Sequence, residues 1–332
     1  MNLAPLLEVT DLAKYYPLGR GFFSRPTGWV KAVNGVSFCI RPGESLGLVG
    51  ESGCGKSTLA RLVVRLLTPT GGSIRFGGRE IGALDRNAMR PLRRRMQIIF
   101  QDPYASLDPR MTVAASVTEP LLNGSTFSKG EQRALAANLL ATVGLRISDL
   151  DRYPHEFSGG QRQRIGIARA LCVRPELVVA DEPVSALDVS IQAQILNLMK
   201  DLQQQFELAY LFISHDISIV EHFCDRITVM YAGQLVEIAG AEGFHSACRH
   251  PYTRALVAAV PRPDPRVALP PVPVEGEPPD PAALPPGCPY HPRCPHAFDP
   301  CPDHRPPLFE VGGNQQVACW LNRGKGMNKG ER

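Results

Sequence analysis

The chain has 332 residues, of which 44% are hydrophobic and 20% are charged, and its formal net charge is +4. These values are ordinary for a globular protein, and so small a net charge does not indicate a nucleic-acid partner. No apolar run approaches the roughly 18 residues of a membrane-spanning helix, and the start, MNLAPLLEVT, lacks the basic and apolar segments of a signal peptide. We therefore expect the protein to stay in the cytoplasm.

Strand and helix patterns alternate from the first third of the chain onward. The alternating apolar residues 31–40 predict a strand, residues 45–49 predict a short buried strand, and residues 57–67 predict a helix with one apolar face. Two further buried strands are predicted at 177–180 and 209–213, on either side of a helical pattern. A strand, helix and strand in this order indicate a parallel α/β sheet.

A glycine-rich loop follows the second strand directly. Residues 50–57 read GESGCGKS and fit the pattern G-x-x-x-x-G-K-[ST] between a strand and a helix. Glycines let backbone N–H groups turn toward phosphate oxygens, Lys56 reaches the terminal phosphates and Ser57 ligates Mg²⁺. The alternative is a loop that only connects strand to helix. The predicted nucleotide-binding residues are Gly50, Ser52, Gly53, Cys54, Gly55, Lys56, Ser57 and Thr58.

Residues 112–150 contain no convincing strand pattern, and residues 131–143 favour a helix, so we predict a mostly helical insertion there. The preceding basic run, residues 90–95 (RPLRRR), could be a nucleic-acid patch, but we interpret it as a solvated helix face and expect no nucleic-acid partner.

Two carboxylates follow the apolar residues 177–180. Asp181 is placed to hold Mg²⁺, and Glu182 is placed to accept a proton from the attacking water. A helix cap or a surface charge is the alternative for such a pair. The preceding phosphate loop favours the catalytic interpretation.

Further segments occur in order along the chain: Gln101, Phe157-Ser-Gly-Gly-Gln161, Ser185-Ala-Leu-Asp188 and His215. They resemble the Q-loop, signature, D-loop and H-loop of the ABC transporter ATPases. With the C-terminal segments described below, the resemblance covers the whole chain. The family implies an α/β fold of the P-loop NTPase class: a RecA-like parallel core, an antiparallel β subdomain and a helical subdomain at about 105–175. It also implies ATP and Mg²⁺ as ligands.

The family resemblance assigns roles to these residues. Glu182, His215 and Gln101 would be catalytic, with Gln101 also near Mg²⁺, and Tyr16 would stack on adenine, although the adjacent Tyr15 is an alternative. Two cassettes would dimerise head to tail around two ATP molecules. Residues that would face ATP across this dimer are Ser158, Gly159, Gly160, Gln161 and Asp188.

The C-terminal sequence narrows the resemblance. His250-Pro-Tyr-Thr-Arg-Ala-Leu and Gly287-Cys-Pro-Tyr-His-Pro-Arg-Cys294 are similar to the extension of dipeptide, oligopeptide and nickel importer ATPases. This implies a peripheral subunit on the cytoplasmic face of a bacterial inner membrane that powers peptide import. Its partners would be a second ABC ATPase, two transmembrane permease subunits and an extracytoplasmic binding protein. Nickel, glutathione or sugars are alternative cargoes.

A proline-dense segment starting at residue 261 predicts a boundary between an ATPase domain, 1–260, and a linker with an extension, 261–332. Little apolar sequence follows, so we expect four of the nine cysteines to be ligands rather than core: Cys288, Cys294, Cys301 and Cys319. Their spacing leaves open a [4Fe–4S] cluster, zinc or reduced thiols.

Two other functions are kept as alternatives. A soluble ABC ATPase of DNA repair or translation would need a second cassette, a coiled coil or a zinc insertion, and none appears in the sequence. A metal-sensing module would use the cysteine segment to regulate a partner.

Overall fold

The computed structural model describes residues 4–19, 26–122, 127–260 and 276–324. The proline-dense residues 261–275 that we interpreted as a linker lie outside the described residues. The strands are β1 (Leu7–Leu18), β2 (Gly28–Ile40), β3 (Ser45–Val49), β4 (Gly71–Phe76), β5 (Arg79–Glu80), β6 (Met96–Ile99), β7 (Leu177–Asp181), β8 (Ala209–Ser214), β9 (Arg226–Tyr231), β10 (Gln234–Gly240), β11 (Phe309–Glu310) and β12 (Gln316–Val317).

The α-helices are interleaved with the strands along the chain. They are α1 (Lys56–Val63), α2 (Arg86–Arg95), α3 (Val113–Thr118), α4 (Lys129–Thr142), α5 (Gly159–Leu171), α6 (Val189–Phe206), α7 (Ile217–Phe223), α8 (Phe244–Ala247), α9 (Pro251–Ala258) and α10 (Pro300–Asp303). None of the described helices is both long enough and apolar enough to cross a membrane.

The chain divides into two compact units. The first unit comprises the described parts of Met1–Leu6, Ile40–Glu44 and Ala83–Ile213, and the second unit comprises those of Leu7–Cys39, Ser45–Gly82 and Ser214–Arg332. The boundary that we drew at residue 261 from composition stays a prediction.

The first unit is built on parallel strands. β7 pairs with both β6 and β8 in parallel, so that Val179 lies opposite Ile98 on one side and Leu211 on the other. All residues of β7 and β8 are buried, which explains their continuous apolar sequences. Helices α3, α4 and α5 pack on one another, as expected for a helical insertion.

The second unit contains antiparallel pairs and one parallel pair. Strands β2, β1, β4 and β5 form a sheet in that order, in which β4 is antiparallel to both β1 and β5, while β3 pairs with β9 in parallel. β10 is antiparallel to β9, and β12 continues the ladder by placing Gln316 opposite Ile238. The C-terminal extension therefore adds strands to the ladder that begins with β3.

The helix predicted at 57–67 is shorter than expected, because α1 ends at Val63. Arg65 takes a left-handed conformation with φ 56°. Its buried guanidinium donates to the carbonyl oxygens of Ile81 and Leu67, both at 2.9 Å. The chain must leave the helix to make these bonds, and Leu66, which we placed on the apolar face, is 51% exposed.

The basic run at 90–95 forms the last part of α2, as predicted. Its last residue is not purely solvated, because the Arg95 guanidinium pairs with both carboxylate oxygens of Glu176.

Candidate active site

The phosphate loop joins the fully buried β3 to α1. Gly55 precedes the helix with φ 111°, and a Cβ there would lie 2.1 Å from the carbonyl oxygen of Ala32, so only glycine fits. The buried Lys56 directs its Nζ back into the loop, where it donates to the carbonyl oxygens of Gly50 at 2.7 Å and Glu51 at 2.9 Å. The loop therefore already curves around a cationic group at a helix N-terminus, which is the arrangement that binds phosphate.

The other loop residues differ in exposure. Ser52 and Gly53 are exposed and Ser57 and Thr58 are half-buried, so these groups are open to a ligand. Cys54 is buried instead, and burial raises the pKa of its thiol above the ordinary value despite the nearby Lys56. The Cys54 side chain thus packs as a neutral group, and its role toward a nucleotide would come from its backbone.

The two tyrosines near residue 16 have different surroundings. The Tyr15 hydroxyl donates to Asn34 Oδ1 at 2.8 Å, whereas the Tyr16 ring is 36% exposed and has the Lys14 ammonium 5.2 Å from its centroid. Of these two rings, Tyr16 is thus the more accessible to a base, and its stacking on adenine stays a prediction.

The carboxylate pair lies where β7 ends. Asp181 is buried, and Glu182 follows it in a left-handed conformation with φ 48°. The Glu182 N–H donates to the Ile213 carbonyl at 3.0 Å, which holds this strained conformation. Gln101 Nε2 then donates to Glu182 Oε2 at 3.0 Å, so the structure brings two predicted catalytic residues into direct contact.

The D-loop continues from this turn. The Ser185 hydroxyl donates to the Glu182 carbonyl oxygen at 3.1 Å. Asp188 is exposed at the N-cap of α6, where its side chain accepts no capping hydrogen bond. Its carboxylate is therefore presented at a surface, as a dimer contact would require.

The signature segment forms the start of α5. Ser158 is the N-cap, with its hydroxyl accepting from Gln161 N–H at 3.4 Å while Gln161 Oε1 accepts from Ser158 N–H at 3.0 Å. Ser158, Gly159 and Gln161 are exposed, and a Cβ on Gly160 would lie 2.6 Å from Ile191. The capping box thus displays a hydroxyl and a helix N-terminus together.

His215 comes directly after β8, belongs to the second unit and is exposed. The next residue, Asp216, caps α7 by accepting from Ser218 N–H at 2.8 Å. This cap fixes the turn that carries the imidazole.

The C-terminal cysteines line one cavity with Tyr290 and Trp320: Cys288, Cys294, Cys301 and Cys319. Burial, with smaller contributions from the neighbouring thiols, raises the pKa of Cys288 to about 11. Cys288, Cys301 and Cys319 are buried, and Cys319 packs with Val311 and Val317. Our expectation that little apolar sequence remained to bury them was therefore wrong, because short strands supply enough apolar residues.

This cavity does not match a site for a single metal ion. Within residues 4–19, 26–122, 127–260 and 276–324, no three His, Cys, Asp or Glu side chains are grouped closely enough to hold one.

Sequence patterns missed the partners of Glu51, the second residue of the phosphate loop. Its N–H donates to the Tyr252 hydroxyl at 2.9 Å, and its carboxylate accepts from Arg293 at 3.0 and 3.2 Å. Arg293 lies 242 positions away, and no local pattern could reveal the pair.

Comparison with known proteins accounts for both parts of the chain. Residues 33–185 match the family model described as ABC transporter, and residues 236–301 match that of the oligopeptide/dipeptide transporter C-terminal region. The oligopeptide transport ATP-binding protein of Bacillus subtilis is 50% identical over 96% of this chain and 98% of its own length. This chain belongs to the ABC transporter family of ATP-binding proteins.

Other relatives of this ABC ATPase agree. The dipeptide transport ATP-binding protein of Escherichia coli is 49% identical over 95% of this chain and 94% of its own length. Among solved structures, a dimeric ATP-binding cassette with bound ADP and Pi is 28% identical, with a TM-score of 0.63 over 71% of this chain and 98% of that one. A cassette of Clostridium perfringens has the same TM-score over 73% and 91%.

The predicted fold class and the ATPase activity are thereby confirmed. As an ABC ATPase, the chain binds ATP with Mg²⁺ and couples its hydrolysis to transport. The glycine-only cradle at Gly55 and the inward Lys56 fit a triphosphate.

Proposed function

We propose that this ATPase powers the uptake of dipeptides or oligopeptides through a multi-subunit ABC importer. The observation that carries the proposal is the match of residues 236–301 to the C-terminal region of oligopeptide/dipeptide transporters. The relatives named above are oligopeptide and dipeptide transport proteins, which supports the same cargo class.

Nucleotide binding starts at the phosphate loop. Lys56 Nζ exchanges its bonds to the Gly50 and Glu51 carbonyls for the terminal phosphates, and the N–H groups at the start of α1 surround them. Tyr16 supports the adenine. Ser57, Asp181 and Gln101 would hold Mg²⁺, which neutralises charge that develops on the phosphate oxygens.

Hydrolysis depends on Glu182. Its carboxylate accepts a proton from water as the water attacks, and the hydrogen bond from Gln101 orients that carboxylate. The exposed His215 donates to the phosphate that is transferred.

We propose that a second ABC ATPase completes the site. Its ATP would contact the exposed Ser158, Gly159 and Gln161 and the half-buried Gly160 of the signature, and the exposed Asp188 would also face this partner. The further subunits would be two transmembrane permeases and an extracytoplasmic binding protein, which place this subunit on the cytoplasmic face of a bacterial inner membrane. ATP-driven closure and reopening of the dimer would drive the permeases.

The test compares ATP hydrolysis by the complex, reconstituted with permeases and binding protein, for wild type and Glu182→Gln. We expect peptides to stimulate wild-type hydrolysis and the substitution to lower kcat by at least about 100-fold, since it removes a general base. Glu207→Gln is the control, because Glu207 is also left-handed but lies after α6. Stimulation by nickel, glutathione or sugars instead of peptides would replace the proposed cargo.

We propose further that the four-cysteine cavity holds a [4Fe–4S] cluster rather than zinc. Four cysteines that line one cavity match the four thiolate ligands of such a cluster. The buried Tyr290 hydroxyl, which lines the cavity, has no hydrogen-bond partner among the described residues.

Anaerobic purification followed by iron, sulfide and zinc analysis tests this proposal. Iron and sulfide near four of each per chain would support the cluster. Zinc would indicate the alternative metal, and free thiols without metal would indicate plain reduced cysteines. Unchanged ATP hydrolysis after replacing all four cysteines would separate the cavity from the motor and would favour a sensing role.

A further inference from the structure

The phosphate loop is anchored from the C-terminal extension by one arginine. Arg293 Nη1 and Nη2 donate to the two carboxylate oxygens of Glu51 at 3.0 and 3.2 Å, and Nη1 also donates to the Tyr231 hydroxyl at 3.1 Å. The Arg293 side chain is only 8% exposed. Two parallel hydrogen bonds from a nearly buried guanidinium fix both the position and the orientation of the carboxylate.

Glu51 is held at every polar group that it has. Its N–H donates to the Tyr252 hydroxyl, its carbonyl oxygen accepts from Lys56 Nζ, and its carboxylate accepts from Arg293. Lys56 is the group that must turn to the phosphates. One of the carbonyl oxygens that it contacts in their absence belongs to Glu51, and Arg293 holds Glu51 in place.

Arg293 is in turn fixed by its surroundings. Its N–H donates to the Tyr290 carbonyl at 3.0 Å, and the ring centroid of Tyr290 lies 5.3 Å from that of Tyr231 and 5.4 Å from that of Tyr252. Just before this turn, a Cβ on Gly287 would lie 2.3 Å from the Cys301 carbonyl oxygen, so backbones approach closely there. The arginine is therefore presented to Glu51 by a tightly packed turn.

The charge of this pair matters for a polyanionic ligand. Burial opposes the charged form of Arg293, but the hydrogen bonds that Arg293 donates to Glu51 and Tyr231 outweigh it and raise the pKa of Arg293, which stays cationic. Without that cation, an unpaired carboxylate would stand in the loop that has to surround the negative phosphates, and the repulsion would oppose binding.

We infer that Arg293 is a positioning residue for ATP hydrolysis, which holds and neutralises Glu51 so that the phosphate loop accepts the triphosphate. Arg293 does not need to touch ATP for this role. The extension thereby sets the nucleotide affinity of the cassette. The inference rests on the ATPase site proposed above.

A double-mutant cycle tests it in the assembled complex. The variants are Arg293→Ala, Glu51→Gln, the two combined, and Arg293→Lys, with kcat, KM for ATP and Tm measured for each. We expect Arg293→Ala to raise KM about tenfold with kcat within about twofold, because it removes the partner of a half-buried charge. In the Glu51→Gln background the same change should raise KM by less than about threefold, because the repelling carboxylate is gone.

Arg293→Lys keeps the charge and should recover part of the lost affinity. Arg323→Ala is the matched control, since Arg323 belongs to the same extension and lies over the Trp320 ring. It should leave KM and kcat at wild-type values.

Two results would overturn the inference. One is a lower Tm for Arg293→Ala with an unchanged KM, and the other is an equal rise in KM with and without the Glu51 carboxylate. If Arg293→Ala does not fold, Arg293→Gln takes its place in the cycle with the same two outcomes. Failure of the proposed ATPase site would be distinguishable, because the Glu182→Gln variant would then hydrolyse ATP at the wild-type rate.

Discussion

At the scale of single residues, the backbone conformation of Glu182 determines where its carboxylate lies. A left-handed conformation costs a non-glycine residue roughly 1–2 kcal/mol, yet Glu182 adopts it with φ 48°. In this conformation the Glu182 carboxylate accepts a hydrogen bond from Gln101, which orients it. The sequence predicted Glu182 as the base but not its conformation, because the motif defines only spacing, whereas the conformation depends on a hydrogen bond to Ile213.

Gly55 offers a sharp test at this scale. We expect Gly55→Ala to lower the free energy of unfolding by about 3 kcal/mol and to abolish ATP binding, because the new Cβ would collide with the Ala32 carbonyl. Gly78 also has a positive φ, but a Cβ added there would have no atom within 4 Å. Gly78→Ala should therefore lower the free energy of unfolding by only about 1 kcal/mol. Urea unfolding and ATP titration measure both, and equal losses in the two variants would contradict the steric argument.

Elements were predictable where their sequence pattern is local. The continuous apolar runs identified β3, β7 and β8, and the phosphate loop fell between strand and helix as expected. The end of α1 was not predictable, because it depends on the bonds of Arg65 to a distant turn. For the same reason the pairing of Arg293 with Glu51 could not be read from either segment.

Helix α9 depends on a buried histidine for its start. His250 Nδ1 accepts from Tyr252 N–H at 3.1 Å, and burial lowers the pKa of His250 to about 3. The unfolded chain takes up this proton near pH 6.5, and the folded chain does not until a much lower pH. Acidification therefore favours unfolding.

The expected result is a free energy of unfolding that falls as the pH drops from about 6.5 to 4, by up to about 1.4 kcal/mol per pH unit. His250→Asn should flatten this dependence, since asparagine caps the helix without titrating. His222→Asn, at an exposed position, should keep the wild-type slope. Identical slopes for the two variants in chemical denaturation would show that His250 is not the group responsible.

At the scale of the whole molecule, exposed residues at two helix N-termini are candidates for a contact with a second subunit. Ser158 and Gly159 are exposed at a capped helix N-terminus, and Asp188 is exposed at another. Helix N-termini attract anions, and this property supports the proposal made above that the nucleotide of a second cassette binds here. The similar solved structures named above include a dimer.

Dimer formation should follow nucleotide binding. With ATP and Mg²⁺ present, we expect Glu182→Gln together with its partner ATPase to show the mass of a dimer in light scattering, because ATP is bound but not hydrolysed. Adding Ser158→Arg should leave monomers. Ser128→Arg is the control, since Ser128 forms the same type of capping box with Glu131 on α4. If Ser158→Arg and Ser128→Arg both leave monomers, the loss of a helix cap rather than of the contact surface at Ser158 would explain the result.

The strands contributed by the extension have a consequence for solubility. β12 covers the outer side of β10, and β11 follows as the last strand of that ladder. β11 contains only two residues and comes shortly after Pro306 and Pro307, so it offers little unpaired backbone to another chain. Truncation before the extension would uncover the seven-residue β10, an apolar edge able to recruit copies of itself. We therefore expect the extension to lower the tendency of the cassette to aggregate through this edge.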